Sequence, residues 1–445
     1  MAIILWILLV VYLLVIFITI GYLLLQNRPP EQTSTWALTI LFIPIIGLFL
    51  YYNFGRNYRK NKVFSRKALF DQQQLHKFSY EQRMDVDHAD FEGHGSIDRK
   101  KSIIKLLLNN SKSILTMGNN VALLSNGEET FNSIVEELKE AQDHIHFEFY
   151  IFLEDNIGSV IRNILLEKAR KGVEVRFMYD GLGSMDLSKD FISRMEEAGA
   201  EVYAFSPVRF PYFANYINYR NHRKIIVIDG KVGYVGGINI ADRYKDGHSA
   251  LGMWRDTHLR LEGSSVHSLQ AVFLNDWHYV SNKEVTDDQY FPYHPMAEKV
   301  PVQITSSGPD SDWESIMQAY FKAITTADDS VAIITPYFMP PTSIITALKT
   351  AALSGVDVKV ILPANSDVPF LLYSSFSFVQ ELLEAGVAVF LYQNGFNHSK
   401  IIIVDDVIAS VGSANLDRRS FEKNLEINAM IYNKEFACEL REKFE

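Results

Sequence analysis

The strongest constraint on the fold of this 445-residue chain is an internal repeat. The segment HIHFEFYIF (144–152) is followed by a helical stretch and then by KGVEVRFMYDG (171–181). The segment SVAIITPYF (330–338) is followed in the same way by a helical stretch and by SGVDVKVILPA (354–364). A short apolar strand, an amphipathic helix and a second apolar strand form the βαβ pattern, in which the strands are parallel and buried. The sequence therefore predicts two similar α/β units.

Each predicted unit continues in the same order. One more helix is expected at 187–198 or 376–385, and one more strand at 201–205 or 387–392. Two units with the same order of elements predict a pseudo-dimer with an active site between them. Because a shared fold does not by itself establish a function, the functional argument depends on the residues that follow the last strand of each unit.

Those residues form a motif that occurs once in each half. NHRKIIVIDGKVGYVGGINIAD occupies 221–242, and NHSKIIIVDDVIASVGSANLD occupies 397–417. Each contains a histidine, a lysine, an aspartate and, after a glycine-rich turn, an asparagine: His222, Lys224, Asp229 and Asn239 in the first, and His398, Lys400, Asp405 and Asn415 in the second. Side chains two positions apart in a strand lie on the same face, so each histidine is predicted to project together with its lysine.

A single copy of this pattern would carry little weight. Such strings arise by chance in long proteins, and a solvated strand end explains one copy equally well. Two copies at the ends of equivalent strands, each followed by the same turn and asparagine, favour a functional site.

The chemistry that these groups suit is transfer of a phosphodiester. One imidazole attacks phosphorus and forms a phosphohistidine, while the other protonates the departing alkoxide. Four further side chains are of the right type to stabilise the charge on the phosphate oxygens: Lys224, Lys400, Asn239 and Asn415. The sequence shows no carboxylate cluster or histidine pair that indicates a required metal, so we predict neither a metal nor a cofactor.

Each imidazole also needs a carboxylate that fixes its tautomer and stabilises its charge. Glu426 is the candidate in the second half. Asp256, in the segment WRDTH (254–258), is the candidate in the first. We therefore expect each histidine to pair with the carboxylate of its own half.

The N-terminus predicts a membrane anchor. Residues 2–25 carry no charge and are nearly all apolar, which is long enough for a helix that crosses the hydrocarbon. A cleavable signal peptide would need a basic start, a shorter apolar run and a cleavage site, and none is visible. A second apolar run, 36–52, contains Pro44 and Gly47. The expected structure is a helical hairpin, with a partly inserted second helix as the alternative.

A cluster of basic residues follows the second apolar run, with no acidic residue inside it: Arg56, Arg59, Lys60, Lys62, Arg66 and Lys67. Such a cluster marks the cytoplasmic side of a membrane. It would also attract anionic lipid headgroups, with about 1 kcal/mol for each cation. The sequence leaves open whether the cluster has this second role.

The composition of the chain argues against several classes of protein and of binding site. The net charge of −10 argues against a general nucleic-acid binder. The single cysteine, Cys438, excludes an intramolecular disulfide framework and a multi-cysteine zinc site. The chain is thus predicted to contain a two-helix anchor (1–55), a basic juxtamembrane segment and linker with a helix at 99–109 (56–116), and two α/β units (117–285 and 286–445).

Together these features resemble the phospholipase D superfamily and, within it, the bacterial cardiolipin synthases. The resemblance covers the hairpin, Gly118-Asn119, both motifs, WRDTH and TPYF (335–338). It implies two phospholipase D-type units forming a pseudo-dimer behind a transmembrane hairpin, on the cytoplasmic side of a bacterial inner membrane. The implied reaction uses phosphatidylglycerol as donor and acceptor and yields cardiolipin and glycerol without metal or nucleotide.

The resemblance also implies roles for individual residues. The histidines, lysines and aspartates of both motifs would form the active-site set, with His222 as the nucleophile and His398 as the acid. The chain ends 19 residues after Glu426. The family typically continues through another helical stretch.

Two other reactions on lipids remain open. Hydrolysis to phosphatidic acid, or transfer to another alcohol such as serine, would use the same catalytic residues. A nuclease of the superfamily would have a basic groove and no hairpin, and both of these predictions fail for this sequence. An inactive membrane scaffold would be favoured by loss of a catalytic residue, but all six are present. The segment FLLY (370–373) either contacts lipid or packs as an amphipathic helix.

Overall fold

The structure is a computed structural model that describes residues 2–26, 30–43, 45–55, 100–206, 218–293 and 300–443. The chain divides into two compact units. One contains the N-terminal helices, and the other contains both halves of the repeat.

The N-terminal unit begins with a long apolar helix. Its elements are α1 (Ala2–Leu24), α2 (Pro30–Phe42), α3 (Ile46–Leu50) and a π-helical turn (Tyr51–Gly55). Among the described residues, α1 is the one helix long and apolar enough to cross a membrane. The second apolar run is divided between α2 and α3, since Ile45 has a φ of 65°, which an α-helix cannot accommodate. The basic residues predicted to follow, at 56–67, lie outside the described residues.

The other unit contains the remaining elements. Its helices are α4 (Lys101–Asn110), α5 (Asn126–Glu140), α6 (Asn156–Arg170), α7 (Lys189–Glu197), α8 (Arg243–Asp246), α9 (Ser264–Ser281), α10 (Ser315–Thr325), α11 (Thr342–Leu353), α12 (Pro369–Phe376), α13 (Val379–Glu384), α14 (Arg418–Glu422) and α15 (Lys434–Glu442), with a 3₁₀ turn at Asp288–Tyr290. Its strands are β1 (Leu115–Thr116), β2 (Asn119–Ser125), β3 (His144–Phe149), β4 (Glu174–Asp180), β5 (Glu201–Phe205), β6 (Lys224–Ile228), β7 (Val232–Gly236), β8 (Trp254–Arg255), β9 (Thr257–Gly263), β10 (Val302–Ser307), β11 (Ser330–Ile334), β12 (Phe338–Met339), β13 (Asp357–Pro363), β14 (Ala388–Tyr392), β15 (Phe396–Asn397), β16 (Ile401–Val404), β17 (Ile408–Gly412), β18 (Leu416–Asp417) and β19 (Glu426–Ile431).

The first half is built on a seven-stranded sheet in the order β2-β9-β7-β6-β3-β4-β5. β3, β4 and β5 are parallel, whereas β6 runs antiparallel to β3. The predicted βαβ unit is confirmed, because α6 connects the parallel strands β3 and β4.

The second half repeats this architecture in an eight-stranded sheet, β1-β10-β19-β17-β16-β11-β13-β14. β11, β13 and β14 take the places of β3, β4 and β5, and α11 connects β11 to β13. The helix predicted at 376–385 is instead two short helices, α12 and α13. Apart from the added strand β1, the two halves have the same mixed α/β fold.

Residues 101–116 belong with the second half and not, as expected, with a linker leading into the first. Ile103, Ile104, Leu107 and Leu108 of α4 are buried in the core of the second half, and β1 pairs with β10. The helix is amphipathic, so its apolar stripe has to be buried against a sheet.

The two halves share a core and exchange backbone hydrogen bonds. Ile225 of β6 and Ile401 of β16 lie in one hydrophobic cluster. β8 pairs with β15, and Asn221 forms a bridge with Leu425. The His222 N–H donates to the Leu425 carbonyl at 2.9 Å, and the His398 N–H donates to the Arg255 carbonyl at 2.7 Å. Both histidines are therefore held where the halves meet.

Candidate active site

The two histidines occupy equivalent places in the two halves. His222 lies two residues before Lys224, the first residue of β6, and His398 lies three residues before Ile401, the first residue of β16. Both are largely buried, with 9% and 6% of their surface exposed. The isoleucines that follow hold each strand in the core, so the polar end of each strand is fixed at the junction of the halves.

Each histidine bonds to a carboxylate of the opposite half. His222 Nδ1 lies 2.9 Å from Glu426 Oε2, and His398 Nδ1 lies 2.7 Å from Asp256 Oδ2. The expected pairing within each half is wrong. Leu425 directly precedes Glu426, and Arg255 directly precedes Asp256. The backbone of each of these two residues pairs with the segment of the other half that contains the histidine. This pairing brings each carboxylate next to the histidine of the other half.

This pairing fixes the imidazole tautomers. A carboxylate acceptor requires the proton on Nδ1, which leaves Nε2 of each ring with a free lone pair. Burial alone would raise the pKa of Glu426, but His222 and Lys224 outweigh it and hold that pKa below its usual value. Burial likewise opposes ionisation of Asp256, and Lys400 and His398 lower its pKa. Both carboxylates are therefore anionic at neutral pH.

The two lysines lie beside the histidines. Lys224 Nζ donates to the His222 carbonyl at 2.7 Å and lies 5.4 Å from the centre of the Tyr150 ring. Lys400 Nζ bonds to the His398 carbonyl and lies 2.7 Å from Nδ1 of the same imidazole. Burial lowers the pKa of Lys224 to about 7 and that of Lys400 to about 8. Each burial effect is opposed by carboxylates, chiefly Glu426 for Lys224 and Asp256 for Lys400. Such a buried cationic pair suits an anion.

In the protein without substrate, both imidazoles are neutral near pH 7. Burial, followed by the charge of Lys400, lowers the pKa of His398 to about 4. Burial also lowers the pKa of His222, although Glu426 acts in the opposite direction. Lys400 contributes to the lowered pKa of His222 as well, so the charge of the second motif reaches the first. The predicted residues His222, Lys224, His398 and Lys400 thus act on one another.

Aromatic side chains surround the two imidazoles. The Tyr150 ring lies edge-on to His222 at 4.9 Å. His398 is flanked by Trp254 at 5.5 Å, Tyr244 at 5.7 Å and Tyr337 at 6.4 Å. Their bulk keeps water from much of each ring.

The motif aspartates do not reach the histidines. Asp229 accepts hydrogen bonds from the backbone of 142–144 at 2.8–3.0 Å. Asp405 does the same for 328–330, and it also bonds to Lys100 Nζ at 2.7 Å. Each aspartate begins the turn at the far end of its strand, about 15 Å from the lysine of the same motif, Lys224 or Lys400. Their φ values of 51° and 53° explain the residue type, because aspartate tolerates the left-handed region. The structure therefore corrects their predicted placement in the catalytic set.

The two asparagines differ from each other. Asn239 Nδ2 donates to the Tyr244 hydroxyl at 2.7 Å, and its Oδ1 accepts from the Ile151 N–H at 3.1 Å. Both ends of that side chain are engaged within the protein, so the geometry does not support the predicted phosphate contact. Asn415 Oδ1 is buried without a partner among the described residues.

One functional contact was not anticipated from the sequence. Ser413 Oγ donates to Glu426 Oε2 at 2.5 Å, and Asn424 Nδ2 donates to Oε1 at 3.1 Å. The first half has Gly237 at the position of Ser413, where a Cβ would lie 2.2 Å from Asp256 Oδ1. The only signal in the sequence is the difference between GGIN and GSAN in the two turns.

The described residues contain no group of three or more histidine, cysteine, aspartate or glutamate side chains that could hold a metal. Lys224 and Lys400 place positive charge beside the two imidazoles.

Comparisons with known proteins agree with this architecture. Residues 134–277 and 320–445 match the family model described as cardiolipin synthase, PLD-like domain. A cardiolipin synthase of Geobacillus sp. (strain WCH70) is 45% identical over 411 residues, which cover 92% of this chain and 81% of the relative. The major cardiolipin synthase ClsA of Bacillus subtilis (strain 168) is 39% identical over 438 residues, covering 97% and 90%. The crystal structure of a phosphatidylserine synthase from Haemophilus influenzae Rd KW20 has the same fold, with a TM-score of 0.57 at 14% identity, over 78% of this chain and 89% of that one.

Proposed function

The chain belongs to the family of phospholipase D-like cardiolipin synthases, and we propose that it makes cardiolipin and glycerol from two molecules of phosphatidylglycerol. The observation that carries this proposal is the pair of buried imidazoles, each bonded through Nδ1 to a carboxylate of the other half. Both keep Nε2 available beside two lysines. The active site is thus proposed to lie between the two halves of a pseudo-dimer.

In the first step, Nε2 of His222 attacks the phosphorus of the donor lipid. A P–N bond forms and the P–O bond to the headgroup glycerol breaks. His398, which enters this step as the imidazolium favoured by the bound anionic phosphodiester, passes its Nε2 proton to the departing alkoxide. Glycerol leaves, and a phosphatidyl group remains on His222. Glu426 stabilises the positive charge on the His222 ring.

In the second step, the terminal hydroxyl of the acceptor phosphatidylglycerol attacks the same phosphorus. His398, now neutral, takes the hydroxyl proton, a P–O bond forms, and the P–N bond breaks. Cardiolipin leaves, and both histidines return to their starting states. Asp256 holds His398 in position for both proton transfers.

The lysines would neutralise the phosphate. The transition state places negative charge on the equatorial oxygens, and cations fixed in a buried site stabilise it without reorganisation. Lys224 and Lys400 are buried and cost energy to keep charged, so an anionic phosphodiester would raise the pKa of both. Substrate binding and lysine protonation would therefore favour each other.

The lipid substrate fits the membrane features of the chain. α1 would cross the bacterial cell membrane, and α2 with α3 would complete a hairpin, so that both ends are cytoplasmic. The basic residues at 56–67 support this orientation and would attract anionic headgroups. The catalytic halves would then work on the cytoplasmic side.

A surface beside the site suits acyl chains. Phe370 and Tyr373 of α12 are 77% and 73% exposed, while Phe376 packs against the core. The helix follows Asp367, whose carboxylate accepts a hydrogen bond of 2.6 Å from Tyr337, a neighbour of His398. Exposed apolar side chains next to a catalytic site are typical of contact with lipid.

The proposal is tested with the purified full-length protein in vesicles of phosphatidylglycerol. We expect cardiolipin and glycerol in equal amounts, quantified by mass spectrometry. His222→Ala and His398→Ala should each lower the rate by about 10⁴-fold or more, because each removes a group that forms or breaks a bond to the reacting atoms. Retained insertion into vesicles is the control for folding.

Three outcomes would contradict the proposal. Phosphatidic acid as the only product would indicate a hydrolase. Substantial turnover in either variant would refute the paired-histidine mechanism. No turnover in the unaltered protein would favour an inactive scaffold.

A further inference from the structure

The proposed reaction brings two anionic lipids to one site, and only one of the two phosphates reacts. The acceptor keeps its own phosphodiester throughout. To place its terminal hydroxyl on the reacting phosphorus, the protein has to hold that second phosphate at a fixed distance, since positioning supplies much of the rate in such transfers. A second anion-binding group is therefore required near the histidine that meets the acceptor hydroxyl.

Arg243 and His398 contact the same two aromatic rings, those of Trp254 and Tyr244. Arg243 begins α8, four residues after Asn239. The centre of its guanidinium lies 5.0 Å from the centre of the Trp254 ring and 5.8 Å from that of Tyr244. Those two rings are themselves in contact with His398, at 5.5 and 5.7 Å.

Two hydrogen-bond donors in this cluster have no acceptor within the part of the chain that the structure describes. Nε of Arg243 and Nε1 of Trp254 are both buried and have no partner among the described residues. Both groups can only donate. A buried donor without an acceptor is costly, and such groups are rare unless a ligand or function accounts for them. A phosphate supplies several acceptor oxygens, and arginine stacked on an aromatic ring is well matched to it.

The second half has an arginine at the same place in its motif but not the same surroundings. Arg419 follows Asn415 by four residues and is exposed. Its charge acts on Tyr150, beside His222, and on the buried carboxyl of Asp417. Arg243 alone of the two combines an aromatic support with a buried, unpartnered donor.

We propose that Arg243, together with the indole N–H of Trp254, binds the phosphate of the acceptor phosphatidylglycerol. This proposal rests on the proposed function and deepens it. The acceptor hydroxyl then lies at His398, which takes its proton, and the acceptor phosphate lies beyond Trp254. An acceptor without a phosphate makes no use of this subsite.

Glycerol is such an acceptor. Transfer of the phosphatidyl group to glycerol regenerates phosphatidylglycerol, because it is the reverse of the first step. With labelled glycerol in the reaction, the same phosphatidyl-enzyme is divided between two products, labelled phosphatidylglycerol and cardiolipin. The ratio of cardiolipin to labelled phosphatidylglycerol therefore measures acceptor recognition apart from donor chemistry.

The experiment compares Arg243→Gln, Arg243→Lys and Lys245→Gln in phosphatidylglycerol vesicles. Lys245 is exposed on the same short helix, so its variant removes the same charge without touching Trp254. We expect Arg243→Gln to lower the product ratio about tenfold, the loss of one charge-assisted hydrogen bond. Arg243→Lys should give an intermediate ratio, and Lys245→Gln the unaltered ratio.

Each outcome separates this proposal from the one on which it rests. If the unaltered protein makes no cardiolipin, the proposed function fails. If it makes cardiolipin but Arg243→Gln keeps the unaltered ratio, or lowers both products equally, the acceptor-phosphate subsite alone is refuted. Should Arg243→Gln fail to fold, an unaltered ratio in Arg243→Lys would refute it in the same way.

Discussion

The two histidines come from the same motif but lie in different surroundings. His222 bonds to a glutamate that is itself held by Ser413 and Asn424. His398 bonds to the shorter Asp256 and also has the ammonium of Lys400 at 2.7 Å from the same ring nitrogen. The corresponding Lys224 donates to the His222 carbonyl and lies against the Tyr150 ring.

A duplicated motif can therefore supply two groups with unlike acidity. Burial lowers the pKa of both imidazoles. At His398 the charge of Lys400 is the next largest cause and brings the pKa to about 4, whereas at His222 the next largest cause is Glu426, which raises the pKa. The imidazolium of His398 is thus an acid strong enough to give its proton to the leaving glycerol. A reaction with one nucleophile and one proton carrier needs such an inequality.

The largest effects are expected from the carboxylates. Glu426→Gln and Asp256→Asn should each lower kcat by about 10³-fold, since an amide favours the wrong tautomer of its histidine. A donor whose leaving group is p-nitrophenol separates the two, because that group departs without a proton. With it, Asp256→Asn should recover most of the rate of the first step and Glu426→Gln should not, as measured by release of p-nitrophenol.

The matched control for that experiment is Ser413→Ala, which removes only one hydrogen bond to Glu426. Ser413→Ala should lower kcat by about tenfold or less. Equal recovery of both amide variants with the activated donor would show that the two halves are functionally equivalent. Recovery of Glu426→Gln alone would exchange the roles of the histidines.

The lysines should produce a smaller effect that depends on pH. With pKa values of about 7 for Lys224 and about 8 for Lys400, both ammonium groups lose their protons as pH rises through 7–8. The value of kcat/KM should fall over that range, because the site then attracts phosphate less. It should also fall on the acid side, below pH 6.5, as a nucleophilic imidazole of lowered pKa becomes protonated.

Replacement by arginine, which stays charged, distinguishes the two lysines. Lys224→Arg should move the alkaline limb of the kcat/KM profile upward, towards the pKa of Lys400. Lys400→Arg should leave that limb near the pKa of Lys224. Identical profiles for both variants would mean that the lysines titrate as one group and that their surroundings do not differ in effect.

The smallest effect on catalysis is expected from the motif aspartates. Asp405 binds both a backbone segment and Lys100, whereas Asp229 binds a backbone segment. Asp405→Asn should therefore lower the free energy of unfolding by about 3 kcal/mol and Asp229→Asn by about 1–2 kcal/mol. Denaturant titration gives both values. We expect kcat to fall less than threefold in each, and a large loss of kcat without a loss of stability would return these residues to the catalytic set.

Much of the fold could be predicted because its signals are local. The alternation of apolar residues marks β3, β4, β11 and β13, and the predicted strand at 201–205 coincides with β5. The division of the second apolar run and the packing of α4 on the second sheet could not be predicted. The division of the apolar run depends on one backbone angle, at Ile45. The packing of α4 depends on which of the two similar sheets it is buried against.

The duplicated βαβ order could be predicted from the sequence alone, and so could the placement of His222 with Lys224 and of His398 with Lys400. These follow from the two-residue period of a strand, which acts over neighbouring positions only. The pairing of each carboxylate with its histidine depends instead on the packing of the two halves. His222 and Glu426 are 204 positions apart, and their contact depends on how two sheets pack and exchange backbone hydrogen bonds across their junction. The same packing places Asp229 and Asp405 at turns remote from the imidazoles, because a strand that brings its first residues to the junction carries its last residues away from it.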